Sequence, residues 1–533
     1  MQPIYKNWLI LDLARGSVSM DSGILELISF FVLMLRYLLG IDLGSSSVKA
    51  SLIEADSGLL KASATYPETE MEISSPQHGW AEQDPNRWWE NTIHAVQSVL
   101  RASGAKGEDV LALGIAYQMH GLVVVNKQHK VLRPSIIWCD SRAVSIGEDA
   151  YNQLGELYCM DRLMNSPGNF TASKLKWVLE NEPQIYKEIY KVMLPGDYLA
   201  MRLTGDIRTT VSGLSEGIMW DYQKNTIPER LFNYYGLDPQ LVSDTVPTFS
   251  EQGQLIAEAA NELGLKPGTP VSYRAGDQPN NAFSLNALNP GEVAATAGTS
   301  GVIYGIVDKP AADKLSRVNT FVHVNHTADN TRYGVLLCVN GTGIMNSWLR
   351  KLLSMNTTVS YETLNALAVE APVGADDLFV LPFGNGAERV LQNINLGASI
   401  HGLDLNRHSA SHICRATQEG IVFALGYGFE VMNELGIQSK VIRAGHANMF
   451  LSDLFCKTFV NTTGARLELY NTDGAQGAAR GAGVGIGYYK NYDEAFRTLS
   501  CIKSYEPDAQ HTAVRDTFNQ WKSILIKQIN SHI

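Results

Sequence analysis

A chain of 533 residues with 45% hydrophobic and 18% charged residues is too long for one core and too apolar for a disordered protein, so two or more globular domains are expected. The formal net charge of −11 repels phosphate backbones and sets nucleic acid aside as a partner. The six cysteines, Cys139, Cys159, Cys338, Cys414, Cys456 and Cys501, form no CxxC pair. That argues against a zinc knuckle and a disulfide scaffold and fits a reducing, cytoplasmic compartment.

The first apolar segment, Ile24 to Leu39, reads ILELISFFVLMLRYLL. Glu26 and Arg36 interrupt it, and the uncharged stretch Leu27 to Leu35 is shorter than the roughly 20 residues that cross a bilayer. A signal peptide needs a basic start and a small-residue cleavage site. Here Asp12 and Asp21 precede the run and a buried strand follows it. Residues 1–36 are therefore read as an extension upstream of a true start near Met34. Membrane attachment is the other reading of the segment.

From Tyr37 the pattern is that of a hairpin and a third strand: apolar runs at Tyr37–Ile41 and Val48–Ile53, the turn Gly44-Ser45-Ser46-Ser47, then a turn at Asp56-Ser57-Gly58. Asp84-Pro85 caps a helix whose apolar face includes Trp88, Ile93 and Val96. The strand LALGIAY (Leu111 to Tyr117) runs into Gln118-Met119-His120-Gly121. Strands alternating with helices predict a layered α/β fold. Downstream, GEVAATAGTSGVIYGIV (Gly291 to Val307) repeats the opening device of strand, small polar turn, strand. A duplicated pair of domains with a cleft between them is expected: residues 37–288, residues 289–489, and a helical tail at 490–533.

Turns of Gly, Ser and Thr expose successive backbone N–H groups that suit phosphate oxygens. Two facing turns, Gly44 to Ser46 and Gly298 with Thr299, would grip a triphosphate from both sides. Hairpin geometry alone is the other reading of each turn. Asp42 precedes the first turn inside an apolar strand, where burial is costly unless a cation is met. Mg²⁺ carried in with ATP answers that need, and a strand-end aspartate capping its own turn is the alternative. Asp277, in the Gly/Asn-rich stretch RAGDQPNNAFSLNAL, is read as a loop carboxylate between the halves. It is placed to accept a hydroxyl proton during phosphoryl transfer, or to form an ordinary turn.

These segments, in order, resemble the FGGY carbohydrate kinases: IDLGSSSVKA, HGWAEQDPNRWW, GIAYQMHG, RPSIIWCDSR, GNFTASKLKWVLENEP, LPGDYLAMRLTG, AGTSG and GASIHGLDLNRHSASHICRATQEGI. The resemblance implies two actin-like (ribonuclease H-like) domains and ATP-dependent phosphorylation of a pentulose, D-xylulose before ribulose, fuculose or glycerol. It implies Asp277 as general base, with Met119 and His120 as the sugar contacts that replace the Arg-Glu pair of glycerol-phosphorylating members. It further implies Asp42 near Mg²⁺, Gly44 to Ser46 and Gly298-Thr299 on phosphates, and Gly343 and Gly445 to Asn448 around adenosine. A homodimer is implied as well. Two departures stand out. AGDQPNNA places Gln278 beside the base, within reach of a sugar hydroxyl, and RAGHANMF places His446 where small residues are usual. A non-catalytic actin-like ATP-binding module would keep the turns and lose Asp277.

Overall fold

The computed structural model describes residues 35–354 and 358–532. The extension expected at 1–36 therefore lies almost wholly outside the described residues.

Two sheets carry the fold. The first is built from β1 (Tyr37–Leu43), β2 (Val48–Glu54), β3 (Leu60–Tyr66), β4 (Val110–Tyr117) and β5 (Val271–Gly276), in the order β3-β2-β1-β4-β5. The first three pair antiparallel, and β1, β4 and β5 pair parallel. The second sheet contains β6 (Val293–Ala297), β7 (Gly301–Val307), β8 (Asn319–Val322), β9 (Tyr333–Val339), β10 (Val441–Gly445), β11 (Arg466–Tyr470) and β12 (Cys501–Tyr505). Its order is β8-β9-β7-β6-β10-β11-β12. The inner five, β9-β7-β6-β10-β11, repeat the pattern of the first sheet: antiparallel, antiparallel, parallel, parallel. The duplication read from the two hairpins is thus a duplication of topology, as in actin-like domains.

The helices around the site are α1 (Pro85–Ser103), α2 (Thr171–Asn181), α3 (Val211–Glu216), α4 (Asp277–Ser284), α5 (Gly343–Leu353), α6 (Ala410–Glu434), α7 (Gly474–Gly485) and α8 (His511–His532). Asp84 caps α1 as expected, its side chain accepting from Asn86 N at 2.9 Å. Apart from Asp42, β1 is apolar because both faces are covered. Tyr37, Leu39 and Ile41 share a core with Trp88, Val96 and Val99 of α1, while Leu38 on the opposite face packs with Ala478, Ala479 and Ala482 of α7.

That second layer crosses the sequence division. α7 falls in the second half of the chain, yet it lies on the first sheet. A Cβ on Gly40 would sit 1.8 Å from Ala475 O, and one on Gly114 would sit 2.0 Å from Ala478 O. Glycine in the strands and alanine in the helix let backbone meet backbone. Beside it, α4 touches both sheets, β4 and β5 of the first and β6 and β7 of the second.

Two local expectations are corrected. The tail after Lys490 is not purely helical, because Cys501–Tyr505 pairs antiparallel with β11. The open edge of the second sheet supplies hydrogen-bond partners that local propensity does not reveal. Asp277 does not sit in a loop: it is the first residue of α4, following β5 without a spacer. Pro279 is tolerated in that first turn, and an acidic residue suits a helix N-terminus. All six cysteines are free, and no described helix is long and apolar enough to cross a membrane.

Candidate active site

Parallel strands bring their carboxyl ends to one edge, and that edge is where open α/β sheets bind ligands. In the first sheet Asp42 pairs in register with Ala116 and Gly276 with Tyr117. Asp42, the Gln118-Met119-His120 continuation of β4, and Asp277 therefore emerge side by side. In the second sheet Gly298 follows β6, Gly445 ends β10, and Thr472-Asp473 follow β11. The two edges face one another.

Between them lies a cavity of about 310 Å³ whose walls include Gln278, Gly298, Thr299, Gly445, Asn448 and Gly474. Gly343 completes this side by donating its N–H to Gly298 O at 2.9 Å, a contact that a Cβ on Gly343 would block at 2.3 Å. The expected nucleotide residues of the second half are thus brought together. The first turn, Gly44 to Ser46, is not part of these walls. It is held from outside, with Ser45 O accepting from Gln83 Nε2 and Ser46 O from Met71 N, both at 2.7 Å.

The acidic cluster lies where α4 and α7 meet. Asn280 of α4 donates to Gly474 O at 2.9 Å, Asp473 caps α7 through Gln476 N at 2.9 Å, and Lys49 of β2 pairs with Asp473 at 2.6 Å. A Cβ on Gly474 would lie 2.2 Å from Asp42 Oδ2, so helix backbone and carboxylate are in direct apposition. Burial, and next the charge of Asp473, push Asp42 up to about 6 against the pull of Lys49. Burial, and next Asp42, push Asp277 up to about 7, opposed by hydrogen bonds from Gln278. Too much negative charge for too little water is the common cause, and a cation would relieve it.

Met119 and His120 lie on the opposite side of Asp277. Met119 Cγ and Glu216 Oε2 of α3 would each lie 2.7 Å from a Cβ on Gly276. His120 has a left-handed backbone, φ 61°, which is strained for a residue with a side chain. Its carbonyl accepts from Lys174 Nζ at 2.9 Å, and its Nδ1 lies 2.9 Å from Glu216 O. The ring packs edge-on to Phe170 at 4.8 Å and against Phe321 of β8 at 5.3 Å. Burial, and next Lys174, hold the imidazole down at about 3, so it is neutral at physiological pH. Facing a carbonyl, Nδ1 carries the proton and Nε2 is left as an acceptor.

Lys174, Glu216, Phe170, Phe321 and Asp473 escaped sequence reasoning. Only Asp473 left a local signal, a helix-capping Asp before the small-residue run GAQGAA. Glu216 is buried beside the Tyr117 hydroxyl, and burial raises its pKa well above the usual range.

Residues 37–284 match the N-terminal domain of the FGGY family of carbohydrate kinases, and residues 293–485 match its C-terminal domain. The chain belongs to the FGGY family of carbohydrate kinases. As a member, it is a carbohydrate kinase that uses ATP and a sugar. This FGGY kinase is 30% identical to the xylulose kinase of Escherichia coli (strain K12) over 497 residues, covering 90% of the chain and 98% of that relative. Its fold matches the ligand-bound xylulose kinase from Lactobacillus acidophilus and the gluconate kinase from the same organism. Each has a TM-score of 0.84 at 22% identity, with 93% of this chain and 99% of the other covered.

Proposed function

We propose that this FGGY kinase phosphorylates a pentulose, D-xylulose first, to the 5-phosphate. The observation that carries the proposal is the position of Asp277, with the cavity walled by Gln278 and Thr299 on one side and the Met119-His120 pair on the other. The similarity to the Escherichia coli xylulose kinase supports the choice of sugar.

In this reading Asp277, ionised above its raised pKa, takes the proton from the sugar hydroxyl. That oxygen attacks the γ-phosphorus in line, and the bond to ADP breaks. Neutral His120 accepts a sugar hydroxyl at Nε2, and Gln278 addresses a second one. Gly298 and Thr299 hold phosphates from the second domain and Gly44, Ser45 and Ser46 from the first. Gly343, Gly445 and Asn448 enclose the adenosine. Closing the cleft keeps water from the phosphoryl group.

The residues fit a divalent cation of the kind that travels with phosphates. Asp42 and Asp277 are both held above the ordinary carboxylate range, and no cluster of three ligating side chains forms a protein cage among the described residues. Mg²⁺ is typically held by one or two carboxylates plus phosphate and water. Asp42 would hold it, and bound Mg²⁺ would offset charge on the phosphates. The two domains of the proposal are residues 37–288 and 289–489, with α7 of the second seated on the first, and a cytoplasmic homodimer is the assembly.

A coupled ADP-release assay on D-xylulose, L-ribulose, L-xylulose and glycerol tests the reading. D-xylulose should give the highest kcat/KM and Asp277→Ala should abolish turnover. Preference for glycerol, or undiminished sugar-dependent turnover in the variant, would sink it.

A further inference from the structure

The segment Phe379–Arg389 belongs to the second half of the chain, yet its last residue reaches the sugar side of the first. Its approach is set by Glu388, which is fully buried and accepts from Asn340 N at 2.9 Å and Gly341 N at 3.1 Å. Arg389 then opens a short 3-10 turn that closes with left-handed Gln392 and Asn393. Both flanks of Arg389 are therefore fixed, and the side chain is delivered in one direction.

That direction is toward His120. The Arg389 guanidinium lies 5.6 Å from the centre of the Phe170 ring, and that ring is the one packed edge-on against His120. Its Nη2 would be 3.4 Å from a Cβ on Gly168, and its charge is felt by the His120 imidazole. On the other side it neighbours Cys338. Arg389 is partly exposed and makes no ion pair among the described residues, whereas the more deeply buried Arg133, Arg142, Arg274 and Arg415 all have a carboxylate within 3.2 Å. A partly exposed guanidinium whose nearest aromatic contact is a ring face has donors to spare. Planar guanidinium donors suit paired oxygens.

We propose that Arg389 is the second domain's contact to the sugar, a specificity-determining residue that donates to the acceptor's oxygens on the His120 side of the cleft. The sugar then touches both domains: Asp277, Met119 and His120 from the first, Arg389 from the second. Oxygen-rich acceptors gain from it, and an analogue with a carboxylate at that end gains more. This inference depends on the sugar site proposed above.

The experiment compares the wild type with Arg389→Met and Arg389→Lys, using D-xylulose and, as the anionic probe, D-xylonate as a competitive inhibitor. In Arg389→Met, KM for the sugar should rise about tenfold to a hundredfold, as expected for a lost charge-assisted hydrogen bond. KM for ATP should move less than twofold, and inhibition by xylonate should weaken more than sugar binding does. Arg389→Lys should recover part of both losses. A fall in kcat with sugar KM unchanged would place Arg389 on the transferring phosphoryl group and overturn the proposal, as would equal weakening toward neutral and anionic ligands. Wild-type turnover is read first. If no sugar in the panel is phosphorylated, the proposed function fails; if the wild type turns over and Arg389→Met keeps its sugar KM, only the Arg389 assignment fails.

Discussion

The Nδ1 of His120 lies 2.9 Å from the main-chain oxygen of Glu216, and this bond turns a histidine into a fixed acceptor. With the proton committed to Nδ1 and the ring held neutral by burial, Nε2 has one role left. His120→Ala should therefore raise KM for the sugar roughly tenfold or more, by about 1.5 kcal/mol of lost binding. The wild-type pH profile should show no histidine limb near 6.5. Steady-state kinetics between pH 5 and 9 checks both.

Lys174 is fully buried and donates to two carbonyls, His120 O and Ile137 O, each at 2.9 Å. It keeps His120 in its left-handed backbone. Lys174→Met fills similar space without the donors, so sugar KM should rise about threefold to tenfold, on the order of 1 kcal/mol per lost bond. The far-ultraviolet circular dichroism should be retained. An unchanged sugar KM would show that His120 holds its conformation without the lysine.

Asp277 must be ionised to accept a proton, and its pKa is pushed up to about 7 by burial and by Asp42. kcat/KM should rise with pH through about 7 and then level off, the slope on the acid side being that of at least one proton. Asp42→Asn removes a neighbouring negative charge, so the acid limb of the residual activity should move to lower pH.

The same shift has a stability consequence. A carboxyl bound to its proton more tightly when folded than when unfolded costs the fold stability as pH rises from near 4, the unfolded value, to about 7. Above pH 7 the cost is complete. Asp277→Asn removes the ionisation, so at pH 8 the variant should melt higher than the wild type, by about 1 kcal/mol once solvent screening is allowed for. At pH 4 the difference should vanish. Thermal melts at the two pH values decide it.

Gly114 lies under α7, where a Cβ would fall 2.0 Å from Ala478 O. Gly114→Ala should destabilise by about 1–3 kcal/mol, the usual cost of overpacking. The loss should appear in the joint between α7 and the first sheet, visible as faster hydrogen exchange in Gly474–Gly485.

Much of this was legible before any tertiary structure. The paired hairpins at Tyr37–Ile53 and Gly291–Val307 announced a duplicated fold, because a two-residue period and a small-residue turn are local properties of a strand pair. The capped helix at Asp84-Pro85 is local in the same way. Cys501–Tyr505 was not legible as a strand, since an edge strand is made by the neighbour that offers it a ladder. Asp277 looked like a loop residue because Gly276, Pro279 and two asparagines are turn formers, and only the sheet edge behind it fixed where the helix begins.

By itself, then, the sequence determined the elements, their duplication and the family-bearing turns, all set by interactions among residues close along the chain. Tertiary structure decided what depends on contacts between distant residues. α7 was seated on the first sheet because Gly40 and Gly114 leave no side chain in its way. Glu216 and Lys174 were brought to His120, and Asp42, Asp277 and Asp473 were crowded at one edge. The raised proton affinities of Asp42 and Asp277 arise from lost water and from that crowding, and neither exists in an extended chain.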